Sequence, residues 1–294
     1  MKVAAAKYLI QAPRSFDAFA ERQRRLLADV AAQGAQLAVL PEYLSLELAS
    51  TLAAGDAGQL HASLAAIQQY RQPWLALFSD IARDTGMVIA AGTFLLDPGN
   101  GRYRNRADLF LPGGAHAWQD KLQLTGFEKA TGVIDGGEAL KVFGTGAARL
   151  GLAVCYDIEF PLPVRAQYEA GARLLLVPSC TDTAAGATRV RVGCLARALE
   201  NRCFVVQSVT AGEAALNPAL DVNTGEAAIY APMDVGFPAD GVLASTRGDD
   251  LWAIANIDPA ALEASRNRAQ VANDRDWRGQ SLPALTPARV EYPA

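Results

Sequence analysis

Three reactive side chains stand at or near the ends of apolar runs, far apart in the chain. Glu42 follows Ala38-Val39-Leu40-Pro41, Lys121 follows Trp118-Gln119-Asp120, and Cys155 follows Gly151-Leu152-Ala153-Val154. A carboxylate, a fixed cation and a thiol are enough to hydrolyse an amide without metal or histidine. The carboxylate takes the thiol proton, the sulfur attacks the carbonyl carbon, and the ammonium stabilises the oxyanion. Singly, each residue has an ordinary structural explanation. A cysteine closing a strand is usually a small buried residue, a glutamate after proline a helix-terminal or solvated charge, and a loop lysine a surface group.

Other chemistries fit less well. A Cys–His pair would need His61 or His116, the only two histidines. The first sits at an expected helix start and the second in a turn-to-strand segment, so both read as structural or surface groups. A zinc site lacks both the spacing and the histidines, so no metal is expected. Gly113-Gly114 and Gly136-Gly137 have no following Lys-Ser/Thr, so they read as turns rather than phosphate loops. No cofactor is implied. Cys180, after an expected strand, could line a pocket beside Thr181, whereas Cys194 and Cys203 fall on an expected helix and strand and read as core.

The elements that must position these residues alternate. Val3–Ile10, Leu37–Leu40, Met87–Phe94, Tyr103–Leu111, Ala115–Gln119, Arg149–Val154, Arg173–Val177, Cys203–Val209 and Leu251–Ile257 read as strands. Phe16–Gln33, Ser63–Thr85 with a kink or break at Pro73, Val164–Ala170, Arg189–Glu200 and Pro259–Arg266 read as helices. This alternation indicates an α/β layered fold with at least one sheet covered on both faces. A single domain is expected over residues 1–277. A proline-containing tail, 278–294, is expected to pack at a subunit interface or remain unattached.

Composition narrows the function classes. The chain has 294 residues, 51% of them hydrophobic, enough for a large core. Lys plus Arg number 27 against 31 Asp plus Glu, a net charge of −4, which argues against nucleic acid or an anionic membrane as partner. No apolar run reaches the roughly 18–20 residues of a membrane span. The opening Met1–Ile10 is interrupted by Lys7 and reads as a strand rather than a signal peptide, so a cytoplasmic protein is expected. Four cysteines without CxxC pairs read as reduced thiols.

Taken together and with their neighbours, these segments resemble the nitrilase superfamily of carbon–nitrogen hydrolases from about Lys2 to Trp277. The resemblance is carried, in order, by Gln33–Glu42, Lys121-Leu122-Gln123-Leu124, Gly151–Asp157, Glu169–Ser179 and Ala196-Arg197-Ala198-Leu199-Glu200-Asn201. It is nearest a poorly characterised amidase-like branch, some members of which are fused to an acetyltransferase domain that these residues do not include. It implies a four-layer αββα sandwich, paired with a second subunit through the face near Cys155 in a homodimer or higher homo-oligomer.

It also implies Glu42 as general base, Lys121 as oxyanion stabiliser and Cys155 as nucleophile, forming an acyl-thioester. Glu128 matches a second glutamate of many members, with an exposed loop carboxylate beside Lys129 as its alternative. The backbone N–H of Tyr156 is expected to join the oxyanion site, with Cys180 and Thr181 beside the substrate. Arg197, Glu200 and Asn201 are expected to brace the surrounding loops or the dimer face rather than touch substrate. The implied function is amidase action on a small carboxamide or ureido compound; nitrile hydrolysis and a silent binding protein are the alternatives.

The sequence departs from the family pattern in two places. Ile158-Glu159-Phe160-Pro161-Leu162 has Glu159 where many members carry arginine and Leu162 where they carry glutamate. Pro178–Thr183 lacks an aromatic often found there. Glu159 or Asp182 is a candidate to meet a cationic substrate group, although the first reading of each is an ordinary loop charge.

Overall fold

The alternation of small apolar residues in the first strand sets the layering. In the computed structural model, which describes residues 1–52, 59–146, 148–214, 217, 219–282 and 287–291, β1 spans Lys2–Leu9. Its Val3 and Ala5 join one core cluster, while Ala4, Ala6 and Tyr8 join another. That is the period-two signature of a strand covered on both faces.

The same split repeats across the first sheet. After helix α1 (Phe16–Ala32) comes β2 (Leu37–Leu40), then α2 (Leu60–Ile67), α3 (Arg71–Thr85), β3 (Val88–Leu96), β4 (Tyr103–Phe110) and β5 (His116–Asp120). The sheet order is β5-β4-β3-β2-β1, with β1, β2 and β3 parallel and β4 and β5 antiparallel. Leu37, Val39, Val88, Ala90, Ala107 and Leu109 face inward. Ala38, Leu40, Ile89, Ala91 and Phe110 face α1 and α3, packing with Phe19, Leu27, Trp74 and Phe78.

The second sheet follows the short α4 (Gly126–Ala130) and β6 (Ile134–Asp135). It contains β7 (Val142–Gly144), β8 (Arg149–Leu152), β9 (Leu174–Ser179) and β10 (Phe204–Glu213), in the order β10-β9-β8-β7. Helices α5 (Pro161–Glu169) and α6 (Ala184–Asn201) contribute Val164, Val190, Cys194 and Ala198 to the core of this sheet. The chain continues through β11 (Val222–Asn223), β12 (Ala228–Tyr230), β13 (Val242–Ser245) and β14 (Trp252–Asn256). Strand β14 pairs antiparallel with β1. The result is the expected helix–sheet–sheet–helix sandwich.

Two devices lock the sheets together. The end of β1, Lys7–Leu9, pairs with Val209–Ala211 of β10 after its earlier residues have paired with β2. Ser208 on β10 donates its hydroxyl to the carbonyl of Leu40 at 2.9 Å. This bond ties the second sheet to the first two residues before Glu42.

Several sequence expectations shift by physical causes. The break in 63–85 falls at the 3-10 turn Gln68–Tyr70, and Pro73 occupies the first turn of α3, where its missing N–H has no intrahelical partner to lose. Strand β8 stops at Leu152 rather than Val154, because Cys155 adopts a positive φ of 49° and opens a 3-10 helix, Cys155–Glu159. Helix α6 starts at Ala184, earlier than Arg189, because Thr183 caps it by accepting from Gly186 N. A 3-10 turn, Trp277–Ser281, crosses the expected boundary at 277. Within the expected tail, residues 283–286 and 292–294 lie outside the described residues.

Gly92 in β3 is indispensable locally. Its φ is +70°, and an added Cβ would lie 2.2 Å from the carbonyl oxygen of Pro41. Replacing Gly92 by Ala therefore combines left-handed strain with overpacking. It should lower the unfolding free energy by about 2 kcal/mol or more in urea titrations, while an alanine at Gly99, where the added Cβ meets nothing, costs less.

Candidate active site

Three strand ends bring the chemistry together. Glu42 lies two residues beyond β2. The next residue, Tyr43, has φ 62°, and its N–H donates to Thr93 Oγ1 at 2.8 Å while Thr93 N–H donates to Pro41 O at 3.3 Å. Lys121 directly follows β5, its N–H donating to Asn105 O at 2.9 Å and its carbonyl accepting from Gly137 N at 2.7 Å. Cys155 is three residues beyond β8. Non-glycine residues at positive φ are uncommon and cost of order 1–3 kcal/mol, so the turns at Tyr43 and Cys155 are held by their surroundings.

Asp157 links two of these turns. Its carboxylate accepts from Leu122 N (3.0 Å), Gln123 N (2.7 Å) and Val154 N (3.1 Å), coupling the lysine loop to the cysteine turn. Burial pushes its carboxyl up to about 6, with the backbone donors pulling the other way. From the far side, Arg197 Nη1 donates to Ile158 O at 3.0 Å and pairs with Glu200 at 2.8 Å.

At the centre, Lys121 Nζ lies 2.8 Å from Glu42 Oε1 and 2.8 Å from Glu128 Oε2. All three are enclosed: Lys121 and Glu42 are 1% exposed and Glu128 0%. Asn105 Nδ2 bridges the carboxylates, donating to Glu42 Oε1 (2.7 Å) and Glu128 Oε1 (3.1 Å). Glu128 also accepts from Tyr43 OH at 2.8 Å and from Thr125 N at 2.9 Å, completing the capping box of α4. The alternative of an exposed loop carboxylate is therefore excluded.

The charges follow from this enclosure. Burial opposes the charge of Lys121, but Glu42 and Glu128 more than offset it, so the ammonium persists far above its usual range. Burial raises Glu42 above the ordinary carboxylate value, with Lys121 opposing and Glu128 adding to the rise. Burial acts on Glu128 too, yet Lys121 and the Thr125 N–H leave it below its ordinary value. The Cys155 thiol donates to Cys180 O at 3.4 Å. Burial and then Glu42 hold it well above the usual thiol range, with Lys121 opposing. A neutral thiol thus sits beside a carboxylate able to take its proton.

Glu42, Lys121 and Cys155 form the floor of a cavity of about 240 Å³. Tyr156, Cys180 and Thr181 line it, with Phe127 at the side and Arg189 nearer solvent. Cys180 donates to Asn223 Oδ1 at 3.1 Å and Thr181 Oγ1 to Thr224 O at 2.7 Å. Glu159 lines the wall, 3.7 Å from Arg189. Glu42, Lys121, Cys155, Tyr156, Cys180 and Thr181 are therefore gathered on the lining with Glu159 and Asp182, and Glu128 lies behind Lys121.

The remaining candidates stand apart. His61 Nε2 lies 3.1 Å from Thr131 O, and His116 Nε2 pairs with Asp108 at 3.0 Å. Cys194 and Cys203 are buried, with burial pushing Cys203 up to about 12. Among the described residues no group of His, Cys, Asp and Glu is arranged to hold a metal, and no helix is long and apolar enough to cross a membrane.

Sequence reading missed Tyr43, Asn105, Thr125, Asp157 and Arg189. Two signals were available. Thr125-Gly126-Phe127-Glu128 is a capping-box pattern. Asn105 is a buried polar residue of β4 in period-two register with the buried Tyr103, Ala107 and Leu109.

Comparison with known proteins agrees with this architecture. A family model described as carbon–nitrogen hydrolase matches residues 2–264. "Probable hydrolase YhcX" of Bacillus subtilis is 30% identical over 95% of this chain, and the chain spans 54% of that relative's length. A chloroplastic omega-amidase of Arabidopsis thaliana is 25% identical over 91% of this chain and 70% of its own. A carbon–nitrogen hydrolase structure from Helicobacter pylori G27 superposes with a TM-score of 0.76 at 18% identity, covering 96% of this chain and 98% of that one, a likeness of fold.

Replacing Asp157 by Ala leaves three buried or half-buried N–H donors without their acceptor. Urea unfolding should show a loss of about 1–3 kcal/mol. If Asp157 matters only as a surface charge, the variant will instead stay within about 0.5 kcal/mol of the parent.

Proposed function

This chain belongs to the carbon–nitrogen hydrolase family, and from that premise we propose that it is a cysteine-dependent amidase cleaving the C–N bond of a small, non-peptide amide. One observation carries the reading: the Cys155 thiol shares the floor of a small cavity with the buried Glu42 and Lys121, the lysine backed by Glu128. The omega-amidase name of the Arabidopsis relative supports the choice of an amide.

In this mechanism the amide carbonyl carbon sits over Cys155. Glu42 takes the thiol proton as Sγ attacks, so the thiolate exists only as it is consumed. The oxyanion is met by Lys121 Nζ and by the backbone N–H of Tyr156. That N–H lies in the first turn of a 3-10 helix and so has no partner within the helix. One such donor is worth about 3–4 kcal/mol of barrier.

Glu42 then delivers the proton to the nitrogen, and ammonia or an amine leaves with the C–N electron pair. The S-acyl thioester remains on Cys155. Glu42 next deprotonates a water that attacks the thioester; the acid departs and the thiol is restored. Glu128 keeps the ammonium in place throughout, and Cys180 and Thr181 flank the acyl group. No cofactor enters these steps.

We place a second copy of the chain against the face near Cys155. Leu162, 70% exposed, and Val192, 54% exposed, lie on the two helices flanking that turn. Light scattering should report a dimer, and monomer at micromolar concentration would contradict this.

Ammonia or amine release should disappear in Cys155→Ala, by at least about a thousandfold, with circular dichroism unchanged. Intact protein given an amide should gain the acyl mass on Cys155. A matched nitrile panel separates amidase from nitrilase action, and normal turnover by Cys155→Ala removes the mechanism.

Because Glu42 must be ionised to act as base and burial raises its pKa, activity falls as pH drops through that raised value. The acid limb of kcat/KM should therefore lie above the ordinary glutamate value of about 4.3. Glu128→Gln removes a charge that raises Glu42, so the limb should move to lower pH. A limb that moves upward contradicts the assignment.

A further inference from the structure

The cavity over Cys155 carries a charge pattern that hydrolysis itself does not use. Besides Glu42 and Lys121, its lining holds three carboxylates, Glu159, Asp182 and Asp221, against one cation, Arg189. Four acidic and two basic side chains leave the lining at −2. A cavity of one predominant sign, with low-dielectric walls, concentrates ligands of the opposite sign.

Glu159 is the best fixed of these groups. It ends the 3-10 helix that Cys155 opens, so its position is tied to the nucleophile by four residues of regular backbone. The preceding residue is held twice. Ile158 O accepts from Arg197 Nη1 at 3.0 Å, and α6 packs so closely that a Cβ on Gly193 would lie 3.0 Å from that oxygen. The Glu159 side chain is 22% exposed, so a salt bridge formed there is only partly screened. Its neighbour Arg189 does not neutralise it firmly: the guanidinium is 3.7 Å away, longer than a hydrogen bond, on a side chain 61% exposed.

We infer that the substrate is an amide bearing a cationic group, an ammonium or guanidinium, and that Glu159 receives that group while Cys155 attacks the carbonyl; this deepens, and presupposes, the amidase reading above. At about 2 Å rise per residue, four residues of 3-10 helix separate the two backbone positions by roughly 8 Å. The cation therefore belongs several bonds from the scissile carbon. Asp182 and Asp221, exposed at the rim, add attraction without contact. The opposite assignment, a substrate carboxylate on Arg189, would bring an anion into a lining that is already negative.

The test is a series of primary amides of equal length ending in ammonium, methyl or carboxylate, with kcat and KM measured for the parent, Glu159→Gln, Glu159→Asp and Arg189→Gln. The ammonium amide should exceed the methyl amide in kcat/KM by about tenfold, the scale of one charge-assisted hydrogen bond. Glu159→Gln should remove most of that ratio through KM, and Glu159→Asp should keep part of it. Raising salt should shrink the ratio. Arg189→Gln should preserve or enlarge it. A preference for the carboxylate amide that vanishes in Arg189→Gln, or a ratio that Glu159→Gln leaves intact, overturns the assignment while amidase action stands. Turnover of no series above the Cys155→Ala background removes the amidase reading instead, and this one with it.

Discussion

A buried ammonium held between two carboxylates is the constraint on which the site depends. Taking Lys121 out of water is costly, and only the paired charges of Glu42 and Glu128, each at 2.8 Å, make it tolerable. Each carboxylate is buried as well and needs further donors. Asn105 serves both, and Tyr43 and Thr125 complete Glu128. Removing one member of such a set leaves an uncompensated buried charge, worth about 3–5 kcal/mol. The cluster is therefore rigid, and its rigidity fixes the ammonium at the cavity floor.

The sandwich exists, from the site's viewpoint, to aim three strand ends at one point. Glu42 and Lys121 come from the first sheet and Cys155 from the second. Their relative placement depends on how the sheets are joined. Strand β1 belongs to both sheets, Ser208 reaches across to Leu40, and Asp157 straps the cysteine turn to the backbone after Lys121. The strained residues Tyr43 and Cys155 sit at the points where the chain must leave its strand abruptly. There the cost of a positive φ is carried by hydrogen bonds and close packing, as at Thr93 and Gly92.

Enclosure also sets the proton economy. A low-dielectric floor keeps the Cys155 thiol neutral while leaving a carboxylate beside it, which in the proposed mechanism couples proton removal to attack. The cavity wall is different: Glu159 and Arg189 are only partly shielded, and their fields reach a ligand before it meets the sulfur. On the proposed reading, chemistry and recognition occupy adjacent zones of different polarity.

By itself, the sequence determined the α/β alternation, the strands that end beside Glu42, Lys121 and Cys155, and the family resemblance. Those properties are local: apolar periodicity, caps and turn residues act within a few positions of one another. Even there, boundaries moved where a single contact intervened, as when the turn at Cys155 ended β8 early and Thr183 began α6 early. Only the tertiary structure decided that Glu128 is buried against Lys121, that Asn105 bridges two carboxylates, that Asp157 joins two loops, and that three carboxylates share the cavity with Arg189. Each of these joins residues from separate segments of the chain. Such pairings depend on how the two sheets meet, and no window of the sequence contains that information.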